Sequence, residues 1–142
     1  MKPLWLLPVD GSLPASRAVD HVVHEAVTDA MPFEVVLVNV QSPLPSDITR
    51  FINSTVVEDY HRESGDAALA KARARLEAAG VAYSPHILIG EAAPTIVNCA
   101  REHGCALIVI GARGLGTVTG LVLGSVTRRV VHLTDLPVVV VK

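Results

Sequence analysis

The chain is poor in aromatic residues, which make up 4% of its 142 residues. A core must therefore be built from the aliphatic residues of a composition that is 50% hydrophobic. Basic residues are also scarce, with 12 Lys and Arg against 14 Asp and Glu, so the sequence has no basic footprint for nucleic acid. No apolar run reaches the roughly 20 residues that a membrane-spanning helix needs. These absences argue against nucleic acid or a membrane as a partner.

Cysteine is limited to Cys99 and Cys105. They form no C-x-x-C pair and follow no metal-ligand spacing, so the sequence predicts two reduced, mostly buried thiols. The N-terminal segment has one lysine followed by apolar residues, but Pro8 and Asp10 come too early for the apolar region of a signal peptide. We therefore expect a cytoplasmic protein.

The common nucleotide and catalytic motifs are absent in their usual form. The segment Gly111–Gly116 begins like a Walker A loop, but Thr117 and Val118 occupy the positions of its Lys and Ser. The glycines from Gly114 onward do not complete the G-x-G-x-x-G fingerprint of a dinucleotide site, because Gly120 comes one place late. No G-x-S-x-G or H-E-x-x-H motif occurs. The usual P-loop chemistry and dinucleotide binding are therefore disfavoured.

Apolar, β-branched runs alternate along the chain with segments of helical periodicity. This alternation predicts a single-domain, doubly wound α/β fold with a parallel sheet and helices on both faces. Strands are predicted over 4–9, 33–40, 81–89, 105–110 and 137–141, and helices over 16–30, 54–79, 92–102 and 124–133. Residues 42–53 are predicted as a loop, Gly65 leaves the second helical segment open as one helix or two, and Pro85 predicts an edge position for the third strand.

The most informative spacing is Gly111-x2-Gly114-x9-Gly124-Ser125, which follows an apolar run and ends where a helix begins. Glycines allow close backbone approach, and the N–H groups of a first helical turn attract anions, so the spacing predicts a phosphate-holding loop. Asp10 also follows a strand, and it shares one crevice with Gly111 if the two strands flank the reversal of strand order. A crossover without ligand, a plain turn role for Asp10 and a plain capping role for Ser125 are the alternatives.

Together these features resemble the universal stress protein family. The resemblance is carried by Val9-Asp10-Gly11-Ser12, the long-spaced glycine motif and the closing run Leu136–Val141, and more weakly by Gly90-Glu91-Ala92, where the family more often has Pro second. It covers essentially the whole chain, and it implies a five-stranded parallel sheet in the order 3-2-1-4-5 and a homodimer. It also implies an ATP site, with or without Mg²⁺, since the glycine motif marks the ATP-binding branch.

The resemblance implies, position by position, a nucleotide site made by strand ends and the start of the last helix. Around adenine and ribose it places Pro8, Val9, Asp10, Asn39, Val40, Ile110 and Gly111, with Asp10 accepting from ribose or base donors and either Asn39 or Val40 at the adenine. Around the phosphates it places Arg113, Gly114, Gly124, Ser125 and Val126.

A binding role is favoured over catalysis, because phosphoryl transfer needs a base, a metal site and a cationic clamp, whereas Asp10 is the lone carboxylate that we place nearby. We expect an ATP-binding regulatory or stress-response protein with slow hydrolysis at most. The alternatives are a slow ATPase or adenylating enzyme and a nucleotide-free dimeric interaction module. The apolar strand Val138–Val141 at a sheet edge predicts a homodimer formed through that strand.

Overall fold

The computed structural model describes residues 2–28, 31–113 and 123–142. In chain order its helices and strands are β1 (Leu4–Pro8), α1 (Leu13–Thr28), β2 (Glu34–Gln41), α2 (Ser46–Thr49), α3 (Ser54–Ala78), β3 (Tyr83–Ile89), α4 (Ala92–Glu102), β4 (Leu107–Gly111), α5 (Ser125–Leu133) and β5 (Val138–Val141). The alternation of strands and helices expected from the sequence is confirmed.

The strands form one parallel sheet in the order β3-β2-β1-β4-β5. This confirms the expected α/β class and strand order. From β1 the chain first builds outward to β3 and then crosses to β4 and β5 on the other side. The order therefore reverses between β1 and β4, and in such sheets a crevice opens beyond the carboxyl ends of the two strands at the reversal.

Apolar side chains cover both faces of the sheet. Leu7, Leu37 and Val109 are fully buried on the face packed against α1 and α3. Leu6 and Ile108 are fully buried on the opposite face, against α4 and α5. Central strands buried on both sides need apolar residues at successive positions, which is why they read as continuous apolar runs.

Two helices end in the same way, at a glycine with left-handed backbone. Gly80 follows α3 with φ +71°, and Gly104 follows α4 with φ +64°. After Gly80, the Val81 N–H donates to the Leu76 carbonyl at 3.0 Å, which closes the last turn of α3. Each glycine thereby stops its helix and directs the chain into the following strand.

Residues 42–53 are not wholly the loop that the sequence predicts, because they contain the short helix α2. The Pro45 carbonyl accepts the N–H groups of Ile48 and Thr49 at 3.0 and 3.1 Å, which closes a helical turn.

Two strands differ slightly from their predicted bounds. The second strand runs one residue further than predicted, since Gln41 still pairs with Ile89 of β3. The fourth strand begins at residue 107 instead of 105.

Two positions that the sequence singled out lie on or against β3. Helix α3 continues without a break through Gly65, because a Cβ there would lie 2.6 Å from Ile87 Cδ1 and the glycine serves close packing. Pro85 lies in β3, which is an edge strand as predicted.

Among the described residues, no helix has both the length and the apolar character that crossing a bilayer requires.

Candidate functional site

The first part of the candidate site is the turn between β1 and α1. Gly11 has φ +85°, a conformation that favours glycine. The Ser12 N–H donates to Asp10 Oδ1 at 2.9 Å, and Ser12 Oγ accepts the Ala15 N–H at 3.3 Å. Asp10 therefore shapes its own turn, and Ser12 caps α1. A carboxylate accepts several hydrogen bonds at once, so this turn role is compatible with the expected ribose or base contact.

The strand residues expected around adenine and ribose differ in exposure. Pro8, Val9, Ile110 and Gly111 are buried at the carboxyl ends of the two strands that flank the reversal. Val40 is half-buried at the end of β2, where it packs partly against the core beneath α4. The buried four form an apolar base for the crevice, and Val40 retains surface that a flat apolar ring could contact.

Asn39 is 4% exposed, and its amide is engaged at both ends. Its Nδ2 donates to the Val9 carbonyl at 2.8 Å, and its Oδ1 accepts from Gln41 Nε2 at 2.6 Å. Asn39 therefore braces the end of β1 from inside the protein. Of the two residues that the resemblance leaves open for the adenine position, Asn39 is thus buried and hydrogen-bonded, and Val40 is half-buried.

The second part of the candidate site is the junction between β4 and α5. The Thr127 hydroxyl donates to the Gly111 carbonyl at 2.7 Å, and Thr127 is 3% exposed. The Gly124 N–H donates to the Ala112 carbonyl, also at 2.7 Å. These two bonds hold the first turn of α5 against the end of β4.

Gly111 joins the two parts of the site. A Cβ at this position would lie 2.7 Å from the Pro14 carbonyl carbon and oxygen, so the end of β4 touches the first turn of α1. This contact explains the glycine by helix packing, without a ligand. It also places the end of β4 directly against the first turn of α1, which follows the β1–α1 turn.

The exposed surface at the start of α5 suits an anion. Gly124 is the buried N-cap, and Ser125 and Val126 are exposed as the first two helical residues. The N–H groups at such positions have no acceptor within the helix, and the helix dipole favours negative charge there. Arg113 is exposed just beyond β4 and can add positive charge. Gly114, the remaining residue expected at the phosphates, lies outside the described residues.

The thiols do not belong to this site. Cys99 and Cys105 are free and buried, as predicted. Burial, and secondarily the neighbouring Cys99, raises the pKa of the Cys105 thiol to about 11, and burial also raises the pKa of Cys99. Both are therefore protonated at neutral pH and unsuited to nucleophilic chemistry. In the described parts of the chain, no group of three or more His, Cys, Asp or Glu side chains could hold a metal ion.

A cleft of about 110 Å³ opens between α1 and α3, beside Gly11 and Ser12. Its other lining residues are mostly small, with Lys71 and Arg75 contributing positive charge. Pockets that bury small organic ligands are typically about 300 Å³ or more, so this cleft is too small for a nucleoside. The carboxyl ends of β1 and β4 therefore stay the predicted position for a nucleotide.

Three polar residues of this region were not identified by the sequence analysis. They are Gln41, which bonds Asn39, and the buried residues His61 and Thr127. A signal for Gln41 was available, because residues two apart on a strand share a face and Asn39 was already singled out. His61 and Thr127 have no such signal, since exposed positions of amphipathic helices carry the same residue types.

The fold defines a doubly wound α/β protein in which the β1–α1 turn and the start of α5 follow the carboxyl ends of two adjacent strands. The sequence matches the universal stress protein family over residues 5–142, and the chain belongs to that family. Relatives include universal stress protein YxiE of Bacillus subtilis, 29% identical over 96% of this chain and 97% of that protein. Universal stress protein MJ0531 of Methanocaldococcus jannaschii is 33% identical over 96% of this chain and 80% of that protein. The resemblance inferred from the motifs is thus confirmed at family level.

Solved structures share the whole fold. Hypothetical protein MJ0577 superposes with a TM-score of 0.83 at 27% identity, covering 100% of this chain and 96% of that one. A universal stress protein in complex with cAMP gives a TM-score of 0.69 at 25% identity, over 99% and 96% of the two chains. The Archaeoglobus fulgidus universal stress protein in complex with dAMP gives 0.63 at 25% identity, over 100% and 98%. Two of these structural relatives therefore hold adenine nucleotides.

Proposed function

We propose that this protein binds an adenine nucleotide, ATP foremost, in the crevice between β1 and β4 and acts as a nucleotide-dependent regulatory or stress-response protein. The observation that carries the proposal is the junction at which Gly124 and Thr127 hold the exposed start of α5 against the end of β4, whose Gly111 lies against the first turn of α1. A fixed helix start needs no rearrangement to accept phosphate oxygens. Family membership and the relatives bound to cAMP and dAMP support the same ligand class.

Each part of the crevice has a role in this proposal. The Ser125 hydroxyl and the N–H groups of Ser125 and Val126 donate to phosphate oxygens, with charge from Arg113. Asp10 accepts from the ribose or the base, and Val40 contacts the adenine ring. Asp10 is kept away from the phosphates because two negative charges at short range repel. When Mg²⁺ accompanies ATP, the cation neutralises phosphate charge.

Regulation is favoured over catalysis for a chemical reason. Fast phosphoryl transfer needs a positioned base, a metal site and a cationic clamp around the γ-phosphate. Among the described residues of the crevice, Asp10 is the carboxylate, and its Oδ1 already accepts from the Ser12 N–H. We therefore expect hydrolysis far slower than one turnover per second. The β5 edge keeps a nucleotide-free dimeric module as the second candidate function.

The test is equilibrium binding of ATP, ADP, AMP and cAMP to the purified chain by calorimetry, with Mg²⁺ and then with EDTA. Ser125→Ala removes one donor to a charged oxygen, so the Kd for ATP should rise by about tenfold or more. Ser54→Ala is the matched control, because Ser54 is also the exposed first residue of a helix but begins α3. Failure of all four nucleotides to bind at millimolar concentration would contradict the proposal and favour the dimeric module.

A further inference from the structure

A chain of three hydrogen-bonded polar side chains connects the candidate nucleotide site to helix α3. The His61 ring Nδ1 lies 3.4 Å from Gln41 Oε1, Gln41 Nε2 lies 2.6 Å from Asn39 Oδ1, and Asn39 Nδ2 lies 2.8 Å from the Val9 carbonyl. With Nδ1 protonated on the histidine, every member donates to the next in the same direction. Hydrogen bonds arranged head to tail in this way polarise and strengthen one another.

The chain ends on the backbone that shapes the β1–α1 turn. The regular pairing of β1 with β2 ends at Pro8, opposite Val38, and the Val9 N–H adds one more bond by donating to the Val38 carbonyl at 2.8 Å. Beyond that point the Val9 carbonyl accepts the Asn39 amide. Val9 immediately precedes Asp10, so a side chain from β2 fixes the peptide that orients the expected ribose or base contact.

The other end of the chain is the N-terminal half of α3. Helix α3 is described in full, and its buried residues are His61, Gly65, Leu69, Ala72 and Leu76. The half that precedes Gly65 therefore inserts one residue, His61, into the protein. Gly65 sets the approach, because its backbone lies against Ile87, the β3 residue that pairs with Asn39.

We propose that Asn39, held by Gln41 and His61, is a positioning residue for the nucleotide site and couples it to the N-terminal half of α3. This inference rests on the proposed function. Coupling between sites is reciprocal, so if His61 helps to set the turn for the nucleotide, the nucleotide must stabilise the seating of His61. The first half of α3 then responds to occupancy of a site with which it shares no predicted contact residue.

The first experiment measures ATP affinity in variants along the chain. Gln41→Met keeps the length of the side chain and removes the hydrogen bonds of Gln41 to His61 and to Asn39. His61→Leu removes the donor at the α3 end of the chain. We expect each to raise the Kd for ATP roughly tenfold, within the range typical of coupled sites. His61→Gln retains a donor able to reach Gln41 and should recover most of the affinity. Val36→Ala, which trims a buried residue of the same strand away from the site, controls for lost stability.

The second experiment uses amide hydrogen exchange, first on the unaltered protein. ATP should slow exchange over residues 54–64 of α3, and Gln41→Met should abolish this protection at ATP concentrations that saturate the variant. The amides of α4 (Ala92–Glu102) provide the internal comparison, since the chain of side chains does not reach that helix. If the protein binds ATP without protecting residues 54–64, or if Gln41→Met and His61→Leu bind as tightly as wild type, the coupling is refuted while nucleotide binding stands. Absence of all binding refutes both.

Discussion

Gly111 has no side chain because the backbone of α1 occupies the space that a Cβ would need. The carbonyl carbon and oxygen of Pro14 would lie 2.7 Å from that Cβ, and the Ala15 nitrogen 3.0 Å from it. These are backbone atoms, so the contact cannot be relieved by a change of rotamer. At the residue scale, then, one glycine of the motif is required by packing, and Gly124 and Ser125 carry the argument for phosphate.

Replacing Gly111 tests this interpretation. We expect Gly111→Ala to lower the free energy of unfolding by about 1–3 kcal/mol through overpacking, and to weaken ATP binding because the start of α1 must move. Gly104→Ala is the comparison: no atom lies within 4 Å of its Cβ, and φ +64° alone should cost about 1 kcal/mol with affinity unchanged. Urea denaturation and calorimetry measure the two quantities. A Gly111→Ala protein as stable as wild type would mean that the close contact is not a constraint.

The elements of the fold were largely predictable from the sequence, because the central strands are mainly apolar runs and each long helix has a buried stripe. The edge position of β3 followed from one residue, Pro85. Helix α2 was not predictable, since it is a single turn begun by Pro45 in a segment rich in turn residues. The site was predicted as a set of strand ends, but the engagement of Asn39 with Gln41 depends on tertiary contact that no local pattern reveals.

A pH effect is expected where β3 meets the end of α4. The His86 and His103 rings lie 4.9 Å apart between centroids. Burial first, and then the charge of His103, lowers the pKa of His86 from its ordinary 6.5. The unfolded chain therefore binds a proton at a higher pH than the folded one. The neutral His86 ring therefore contributes its full stabilisation above the pKa that His86 has in the unfolded chain. This contribution is lost as the pH falls toward the lower pKa that His86 has in the folded chain.

Thermal unfolding at about pH 7.5 and about pH 5 measures this effect. The Tm of the wild type should fall on acidification, and that of His86→Phe, which keeps an aromatic ring but cannot be protonated, should fall less. His24→Gln alters an exposed histidine of α1 and should leave the wild-type difference unchanged. An identical pH dependence in His86→Phe and wild type would show that this histidine pair does not contribute.

At the scale of the whole molecule, the two edges of the sheet differ. The β3 edge carries Pro85, which cannot donate to an added strand, together with exposed Ser84. The β5 edge consists of Val138–Val141, all half-buried, and α5 adds exposed Val131 and Leu133 at 44% and 42%. An apolar, unprotected edge beside an apolar helix surface favours association with a second copy. We therefore expect the predicted homodimer to form through β5.

The hydrogen-bonding pattern of β5 gives a variant that separates dimerisation from folding. The carbonyls of Pro137 and Val141 accept N–H groups of β4. Backbone groups of successive residues in a parallel strand point alternately to its two sides, so those of Val139 face β4 and those of Val140 face outward. Val140→Pro should remove one outward N–H, leave the β4 ladder intact and yield a monomer. Val139→Pro should instead break the ladder and lower stability. In sedimentation experiments, wild type should have twice the 15.0 kDa chain mass and Val140→Pro the mass of one chain. A wild-type monomer, or a Val140→Pro protein that still dimerises, would move the interface away from this edge.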